Sequence, residues 1–123
     1  MYLYSYTDDR EKFLARTLSK TAYAAREVRG LEFNISLDYV MKLLKKQDGR
    51  CALTGWPLEF TRGSSAERTN PYVCTMDRID NNKGYVTGNI RLTCWKANKI
   101  RGSLSDSEFY ELCESVVKER KKR

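Results

Sequence analysis

The stretch of sequence that decides the fold runs from residue 76 to residue 98 and reads Met-Asp-Arg-Ile-Asp-Asn-Asn-Lys-Gly-Tyr-Val-Thr-Gly-Asn-Ile-Arg-Leu-Thr-Cys-Trp-Lys-Ala-Asn. Its start continues a strand that we predict over residues 72–79. Residues 80–89 hold two glycines and three asparagines, which predicts a loop. Residues 90–93 alternate apolar and polar side chains, as a half-buried strand does. A helix over residues 94–100 completes a strand–loop–strand–helix unit.

This unit brings together side chains with oxygen donors. The first strand would hold Asp77 and the short helix would hold Asn98, while Asn89 ends the loop. Carboxylate and amide oxygens are ligands that Mg2+ prefers, and the ion keeps waters and takes substrate oxygens for the rest of its shell. Such an ion serves phosphodiester hydrolysis by neutralising charge on the leaving oxygen. The alternative is local: Asp77 and Asp80 cap a turn, and Asn98 bonds within its helix.

Three further helices are predicted around the unit. The first covers residues 8–29, with Asp8 and Asp9 at its start and a stripe of Arg and Lys on one face. That stripe is either a solvated face or a surface that follows phosphates. The second covers residues 37–47, with Ser36 as its N-cap. Before them, the alternating tyrosines at positions 2, 4 and 6 suggest an edge strand.

The last predicted helix begins at Ser105. The sequence Ser-Asp-Ser-Glu over residues 105–108 is a capping box. Phe109, Leu112, Cys113 and Val116 then fall on one face at helical spacing. We therefore expect this face to pack on the rest of the protein.

Length and charge restrict the class of protein. The chain has 123 residues, the size of one domain, and carries a formal net charge of +7, which attracts polyanions such as nucleic acid. No apolar run approaches the roughly 20 residues that span a bilayer. The first ten residues lack the apolar core of a signal peptide, so we expect a cytoplasmic protein without membrane partners.

The cysteines predict packing rather than metal binding. Cys51, Cys74, Cys94 and Cys113 form no Cys-x-x-Cys pair, and the chain has no histidine, so no structural zinc is expected. Free cysteines usually behave as small buried apolar residues. We expect a core built by packing, with Trp56, Trp95, Leu92 and Phe109 as candidate members.

Several short motifs together resemble the HNH (ββα-metal, His-Me finger) endonuclease family. Asp77-Arg78-Ile79 lies where that family has Asp-His-Ile, and Asn89 precedes Ile-Arg-Leu as the family's middle Asn precedes a strand. Residues 94–98, Cys-Trp-Lys-Ala-Asn, are similar to Cys-x-x-Cys-Asn. Asp-Arg-Ile-Asp at 77–80, followed by Lys-Gly-Tyr at 83–85, resembles a phage-type subset. The resemblance covers residues 49–115 and leaves 1–30 as a basic N-terminal helical extension of a single domain, 1–123.

The resemblance implies a fold, a metal site and roles for its residues. It implies a small α+β domain with a ββα-metal core, in which Asp77 and Asn98 bind Mg2+ or Mn2+. Asn89 would brace the loop or orient the catalytic group by hydrogen bonds. The position of the usual catalytic histidine falls on Arg78. Its guanidinium cannot accept a proton at neutral pH but can bind phosphate oxygens. Deprotonation of water would then fall to Asp80, to metal-bound water acting with solvent, or to the substrate phosphate.

Basic residues around the unit are candidate contacts to DNA phosphates, with ordinary surface charge as the alternative reading. They are Lys83, Arg91, Lys96, Lys99 and Arg101. The function implied is a metal-dependent endonuclease acting on double-stranded DNA. The alternative is a catalytically inactive HNH-derived module that binds DNA or inhibits a nucleic-acid-processing protein partner.

Overall fold

A computed structural model describes the backbone of residues 2–62 and 69–122, and the side chains of residues 9–62 and 69–122. Its elements are helix α1 (Tyr2–Tyr23), a π-helical segment (Ala24–Arg29), helix α2 (Leu37–Lys46), strands β1 (Cys74–Arg78) and β2 (Ile90–Cys94), and helices α3 (Trp95–Arg101) and α4 (Asp106–Lys121). The predicted α+β class, with a two-stranded antiparallel hairpin and surrounding helices, is confirmed. Within the described residues, no helix is long and apolar enough to cross a membrane.

The hairpin and α3 form the predicted strand–loop–strand–helix unit. Strand β1 pairs antiparallel with β2, so that Asp77 lies opposite Arg91 and Arg78 lies opposite Ile90. Helix α3 follows β2 without a break and lies against both strands. Along β1, residues 75 and 77 share one face because side chains alternate across a strand. That face receives α3, since Thr75 bonds Asn98 and Asp77 bonds Arg101.

One hydrophobic core joins the N-terminal helices to the hairpin. Phe13 and Leu14 of α1 belong to the same buried cluster as Val40 and Leu44 of α2 and Leu92 of β2. All five side chains are at most 5% exposed and carry no polar atoms, which is the composition expected of an interior. The N-terminal helix is therefore part of the packing that supports the hairpin.

The chain start differs from the sequence-based expectation. Helix α1 begins at Tyr2, so the predicted edge strand at the alternating tyrosines is wrong. Three alternating residues are fewer than the four to eight that make alternation diagnostic. Asp8 and Asp9 consequently lie inside α1 and do not cap it.

Both predicted N-caps are confirmed. The Ser36 hydroxyl accepts a hydrogen bond from the Tyr39 amide at 3.1 Å at the start of α2. At the start of α4, the Ser105 hydroxyl accepts from the Glu108 amide, and the Glu108 carboxylate accepts from the Ser105 amide at 2.9 Å. Each cap satisfies amide groups that the first turn of a helix leaves unpaired.

Two packing expectations are wrong. Trp56 is 42% exposed and meets the Tyr72 ring edge-on at the surface. The apolar face of α4 lies in solvent: Leu112 is 50% exposed, Val116 is 61% exposed, and α4 has no buried residue. A capping box and helical spacing determine that this segment is a helix, but they do not determine what it packs against.

A backbone bridge ties the N-terminal third to the loop between the strands. The Tyr85 amide donates to the Glu32 carbonyl at 2.8 Å, and the Asn34 amide donates to the Tyr85 carbonyl at 3.0 Å. The backbones approach so closely that a β-carbon on Gly84 would overlap the backbone of Glu32. Only glycine fits there.

Candidate functional site

Asp77 lies at the centre of the candidate site and is 3% exposed. Its Oδ2 accepts a hydrogen bond from Arg91 Nε at 2.8 Å, and its Oδ1 accepts from Arg101 Nη1 at 2.9 Å. Arg91 faces it across the hairpin register, and Arg101 reaches it from the last turn of α3. Two guanidinium groups thus compensate the charge of one carboxylate, in a place where an unpaired buried charge would be costly.

Asp106, the first residue of α4, completes the charge balance of this cluster. Its carboxylate accepts two hydrogen bonds from Arg91, at 2.8 and 2.6 Å. Its Oδ1 also lies 3.2 Å from Arg101 Nε, an ion pair whose angle does not make a hydrogen bond. These Arg91 bonds hold the pKa of Asp106 below its ordinary value. Burial alone would lower the pKa of Arg91, but its bonds to Asp106 and Asp77 outweigh this and raise it.

Arg101 also fixes the end of β1. Its Nη2 donates to the Ile79 carbonyl at 2.7 Å, and its Nη1 donates to the Arg78 carbonyl at 3.2 Å. The side chain is 1% exposed, so its positive charge is enclosed by Asp77, Asp106 and these carbonyls. Its role in this structure is to join α3 to the strand that carries Asp77.

Asn89 holds the loop between the strands closed. Its Oδ1 accepts from the Asp80 amide at 2.8 Å, and its Nδ2 donates to the carbonyls of Asp80 and Gly84 at 3.1 and 2.9 Å. The Asp80 carboxylate accepts from the Asn82 amide at 2.9 Å, the geometry of an Asx turn. Side chains at both ends of the loop therefore satisfy its backbone.

Arg78 is also bound to the loop. Its Nη1 donates to the carbonyls of Asn81 and Lys83, both at 2.9 Å, and its guanidinium lies 5.5 Å from the centre of the Tyr85 ring. These bonds use both hydrogens of Nη1. A phosphate would therefore be met by the remaining N–H groups of the guanidinium.

Asn98 lies at the same contact between β1 and α3 as Asp77. Its Nδ2 donates to Thr75 Oγ1 at 3.0 Å, and Thr75 Oγ1 bonds the Thr93 carbonyl in turn at 2.9 Å. Thr75 and Asp77 are two residues apart on β1, a spacing of about 7 Å along one face of a strand. The structure therefore brings Asp77 and Asn98 to neighbouring positions between β1 and α3.

The donor chemistry of these two residues fits a divalent cation. Carboxylate and amide oxygens suit Mg2+ and Mn2+, and each oxygen of Asp77 keeps a lone pair beyond its hydrogen bond. Asp106 is a second carboxylate partner of Arg91, so Arg91 keeps an ion pair if the Asp77 carboxylate binds a cation instead. Among the residues that the structure describes, no group of three or more Asp, Glu or Cys side chains could hold a metal ion. Waters and substrate oxygens would complete the coordination.

The candidate phosphate contacts fall into two groups. Lys83, Lys96 and Lys99 are exposed, and the Lys99 ammonium lies 4.7 Å from the centre of the Trp95 ring. The side chains of Arg91 and Arg101 are 12% and 1% exposed and are bound to carboxylates. The three lysines are thus exposed to solvent, whereas the two arginines bond groups inside the protein.

Sequence reasoning missed Asp106 and Thr75. Asp106 lies inside a capping box, so its local context already explains an acidic residue there. Its pairing with Arg91, 15 residues away, has no local sequence signal. Thr75 is a usual strand residue whose contact with α3 appears only when β1 and α3 are packed together.

The buried cysteines behave as packing residues. Cys51, Cys74 and Cys94 are buried free thiols, and the Cys94 amide donates to Cys51 Sγ at 3.3 Å. Burial raises the pKa of Cys74 to about 12, so that thiol stays protonated at neutral pH. Cys113 of α4 is exposed, so three of the four cysteines are buried, as expected for most free cysteines.

The fold is similar to a solved structure described as the rare-cutting HNH restriction endonuclease PacI. The TM-score is 0.60 at 21% sequence identity, over 85% of this chain and 76% of that chain. At this identity the likeness shows the fold, and it confirms the predicted HNH-type architecture. No protein-family model and no curated protein sequence matches the chain.

Proposed function

We propose that this protein is a metal-dependent DNA endonuclease that hydrolyses phosphodiester bonds at a single-metal, HNH-like site. The observation that supports the proposal is that Asn98 bonds Thr75, which lies two residues from Asp77 on the face of β1 that meets α3. This placement occurs in a fold similar to that of an HNH restriction endonuclease. The net charge of +7 suits a nucleic-acid substrate.

In this proposal, Asp77 and Asn98 hold a Mg2+ or Mn2+ ion. When bound, the ion would supply Lewis-acid stabilisation of charge on the phosphate and leaving oxygens. Arg91 and Arg101 orient the Asp77 carboxylate through their hydrogen bonds. Asn89 holds the loop that follows β1 and so orients the chain at Arg78.

Arg78 takes part as a phosphate-binding electrophile through its free N–H groups, since a guanidinium cannot act as a base. A well-placed general base contributes about 100- to 10,000-fold to rate. Asp80 is the carboxylate beside Arg78 in the loop, but one of its oxygens accepts from the Asn82 amide. We therefore expect slow cleavage compared with an enzyme that has histidine at position 78.

Lys83, Lys96 and Lys99 are the proposed DNA contacts because they are exposed and lie on the loop and helix of the unit. Their ammonium groups would neutralise backbone phosphates without reading sequence. Such contacts make DNA binding sensitive to salt.

A second candidate function is a catalytically inactive module that binds DNA. It is favoured by the hydrogen bonding of Asp77, because each of its two carboxylate oxygens already accepts a hydrogen bond from an arginine. The absence of histidine in the chain favours it as well. A protein that only binds DNA could keep the Asp77 cluster for stability alone.

Plasmid nicking separates the two functions. Supercoiled DNA is incubated with the protein and with Mg2+, Mn2+ or a chelator, and open-circular product is measured over time. We expect metal-dependent nicking that falls about 100-fold in Asn98→Ala, the loss expected when a metal ligand or its orientation is removed. Asp38→Asn is the control, because Asp38 pairs with Lys42 on the exposed face of α2. Circular dichroism verifies folding of both variants.

The outcomes are distinct. Nicking that is lost with chelator and with Asn98→Ala supports the endonuclease. Salt-sensitive DNA binding without nicking in either metal rejects it and supports the inactive module. Nicking that survives Asn98→Ala unchanged rejects the proposed metal site.

A further inference from the structure

Helix α4 is attached to the rest of the described protein only at its beginning. Asp106 bonds Arg91, and Phe109 is half-buried, but every residue from 110 to 122 is exposed. Tyr110 is 45% exposed, and Val117 is 43% exposed. Most of this 16-residue helix therefore stands in solvent.

An apolar stripe runs along the exposed part of α4. Tyr110, Cys113 and Val117 follow the i, i+3, i+7 spacing of one helix face, and Val116 adjoins them. A shallow groove beside the stripe is lined by Cys113, Glu114, Val117, Lys118 and Lys121. Helices of this length are marginal in water without a packed face. Contiguous exposed apolar residues with a polar rim are typical of an interaction surface.

The charges of α4 divide into two halves of opposite sign. The first nine residues, 106–114, hold four acidic side chains and no basic one. Residues 118–122 hold four basic side chains and one acidic side chain. The apolar stripe runs from the acidic half to the start of the basic half, so a partner that covers α4 along its length meets charge of both signs.

We propose that α4 packs against α4 of a second copy of this chain in an antiparallel pair. In that orientation the acidic half of each helix lies beside the basic half of the other, and the apolar stripes face each other. A parallel pair would place like charges together, at a cost. DNA is a poorer occupant, because its phosphates would be repelled by Glu111 and Glu114 along half of the helix.

The pair has the symmetry that a homodimer requires. A two-fold axis across the helices brings the same patch of both copies into contact. Residues before the centre of one helix then meet residues after the centre of the other. Cys113 is the eighth of the 16 residues of α4, so it lies near that axis. The contact involves one helix from each copy and is therefore at the small, weak end of the range for protein interfaces.

Sedimentation velocity without DNA tests the pair, because it does not depend on nuclease activity. We expect dimer to be populated at about 100 μM, in line with a small interface. Val117→Glu, in the stripe, should leave a monomer. Ser115→Glu is the matched control: it adds the same charge about 200° around the helix, on the opposite face. A wild-type monomer up to several hundred micromolar, or equal effects of the two variants, would overturn the proposal.

Charge exchange tests the antiparallel orientation. Glu111→Lys with Glu114→Lys gives α4 an excess of basic residues, whereas Lys118→Glu with Lys121→Glu makes it largely acidic. Each double variant should be monomeric alone, and the two should form a mixed dimer when combined. Dimers of either double variant alone, or no mixed dimer, would reject the antiparallel pair. Circular dichroism of each variant verifies that α4 remains helical.

Discussion

The unit from β1 to α3 and the helix α4 are neighbours in the chain, but they are held in place by different forces. In the unit, buried charged groups bond partners far away in sequence, as Asp77 and Arg101 do over 24 residues. In α4, the capping bonds join Ser105 and Glu108, three residues apart, and no side chain is buried. The same kind of sequence pattern thus predicts two helices, α3 and α4, whose stability has different origins.

This difference predicts which substitutions lower the stability of the whole protein and which destabilise α4 alone. Removal of a partner in the unit leaves buried charge without compensation, a large cost. Removal of a local contact in α4 affects only the ends of an exposed helix. Three experiments, from the largest expected effect to the smallest, test this contrast.

The largest effect is expected for Asp77→Ala. The substitution leaves Arg91 and the fully enclosed Arg101 without the carboxylate they share, which should lower the free energy of unfolding by about 3–5 kcal/mol. Urea denaturation at neutral pH measures this loss. Asp38→Ala breaks an exposed pair with Lys42 and should change stability little. Equal losses in the two variants would show that the buried cluster does not support the fold.

An intermediate effect is expected for Asp106→Asn. Asp106 lies where the unit meets α4. Arg91 would lose its paired charge-assisted hydrogen bonds, at a cost of about 2 kcal/mol at neutral pH. The folded pKa of Asp106 is lowered, so its contribution is present above its unfolded pKa, about 3.9, and is lost as pH falls through the folded value. The wild type should therefore lose more stability than the variant between pH 4 and pH 2. Urea denaturation at several pH values compares them, and parallel losses would contradict the expectation.

The smallest effect is expected for Ser105→Ala, and it should be local. Loss of an N-cap costs about 1 kcal/mol, or roughly fivefold in the opening equilibrium of the helix. Hydrogen exchange should accelerate by that factor at α4 amides and stay unchanged in β1 and β2. Ser36→Ala removes the matching cap from α2, which carries the buried Val40 and Leu44, so its cost should appear in global unfolding. Faster exchange in β2 after Ser105→Ala would mean that α4 and the hairpin open together.

Much of the fold could be predicted because its signals are local. The caps at Ser36 and Ser105, the glycine- and asparagine-rich loop, and the alternation of residues 90–93 each act within a few residues of themselves. Burial could not be predicted in the same way. Arg101 is the most polar of side chains and yet is enclosed, because a charged group can be buried when carboxylates and carbonyls surround it. Trp56 follows the turn at residues 52–54 and lies at the surface beside Tyr72.

For the candidate site, the sequence predicted the strand–helix unit that carries Asp77 and Asn98, but not the bonds that surround these residues. Asp77 and Asn98 lie on facing elements, as a strand–helix unit requires. That Arg91 and Arg101 point inward to Asp77 depends on the hairpin register and on Asp106 from another helix. Such a pairing is a property of the assembled tertiary structure, in which a carboxylate and two guanidinium groups become neighbours only after β1, β2 and α3 have packed.

The close approach of Gly84 to Glu32 bears on how this domain could be transplanted into other proteins. Motif resemblance suggests a portable piece that starts near residue 49. A graft cut there would leave behind the backbone that bonds Tyr85 and the Phe33 ring that packs on it. The loop that Asn89 holds would then lose its contacts with residues 32–34. The smallest portable piece therefore begins before Glu32, well upstream of residue 49, where the motif resemblance starts.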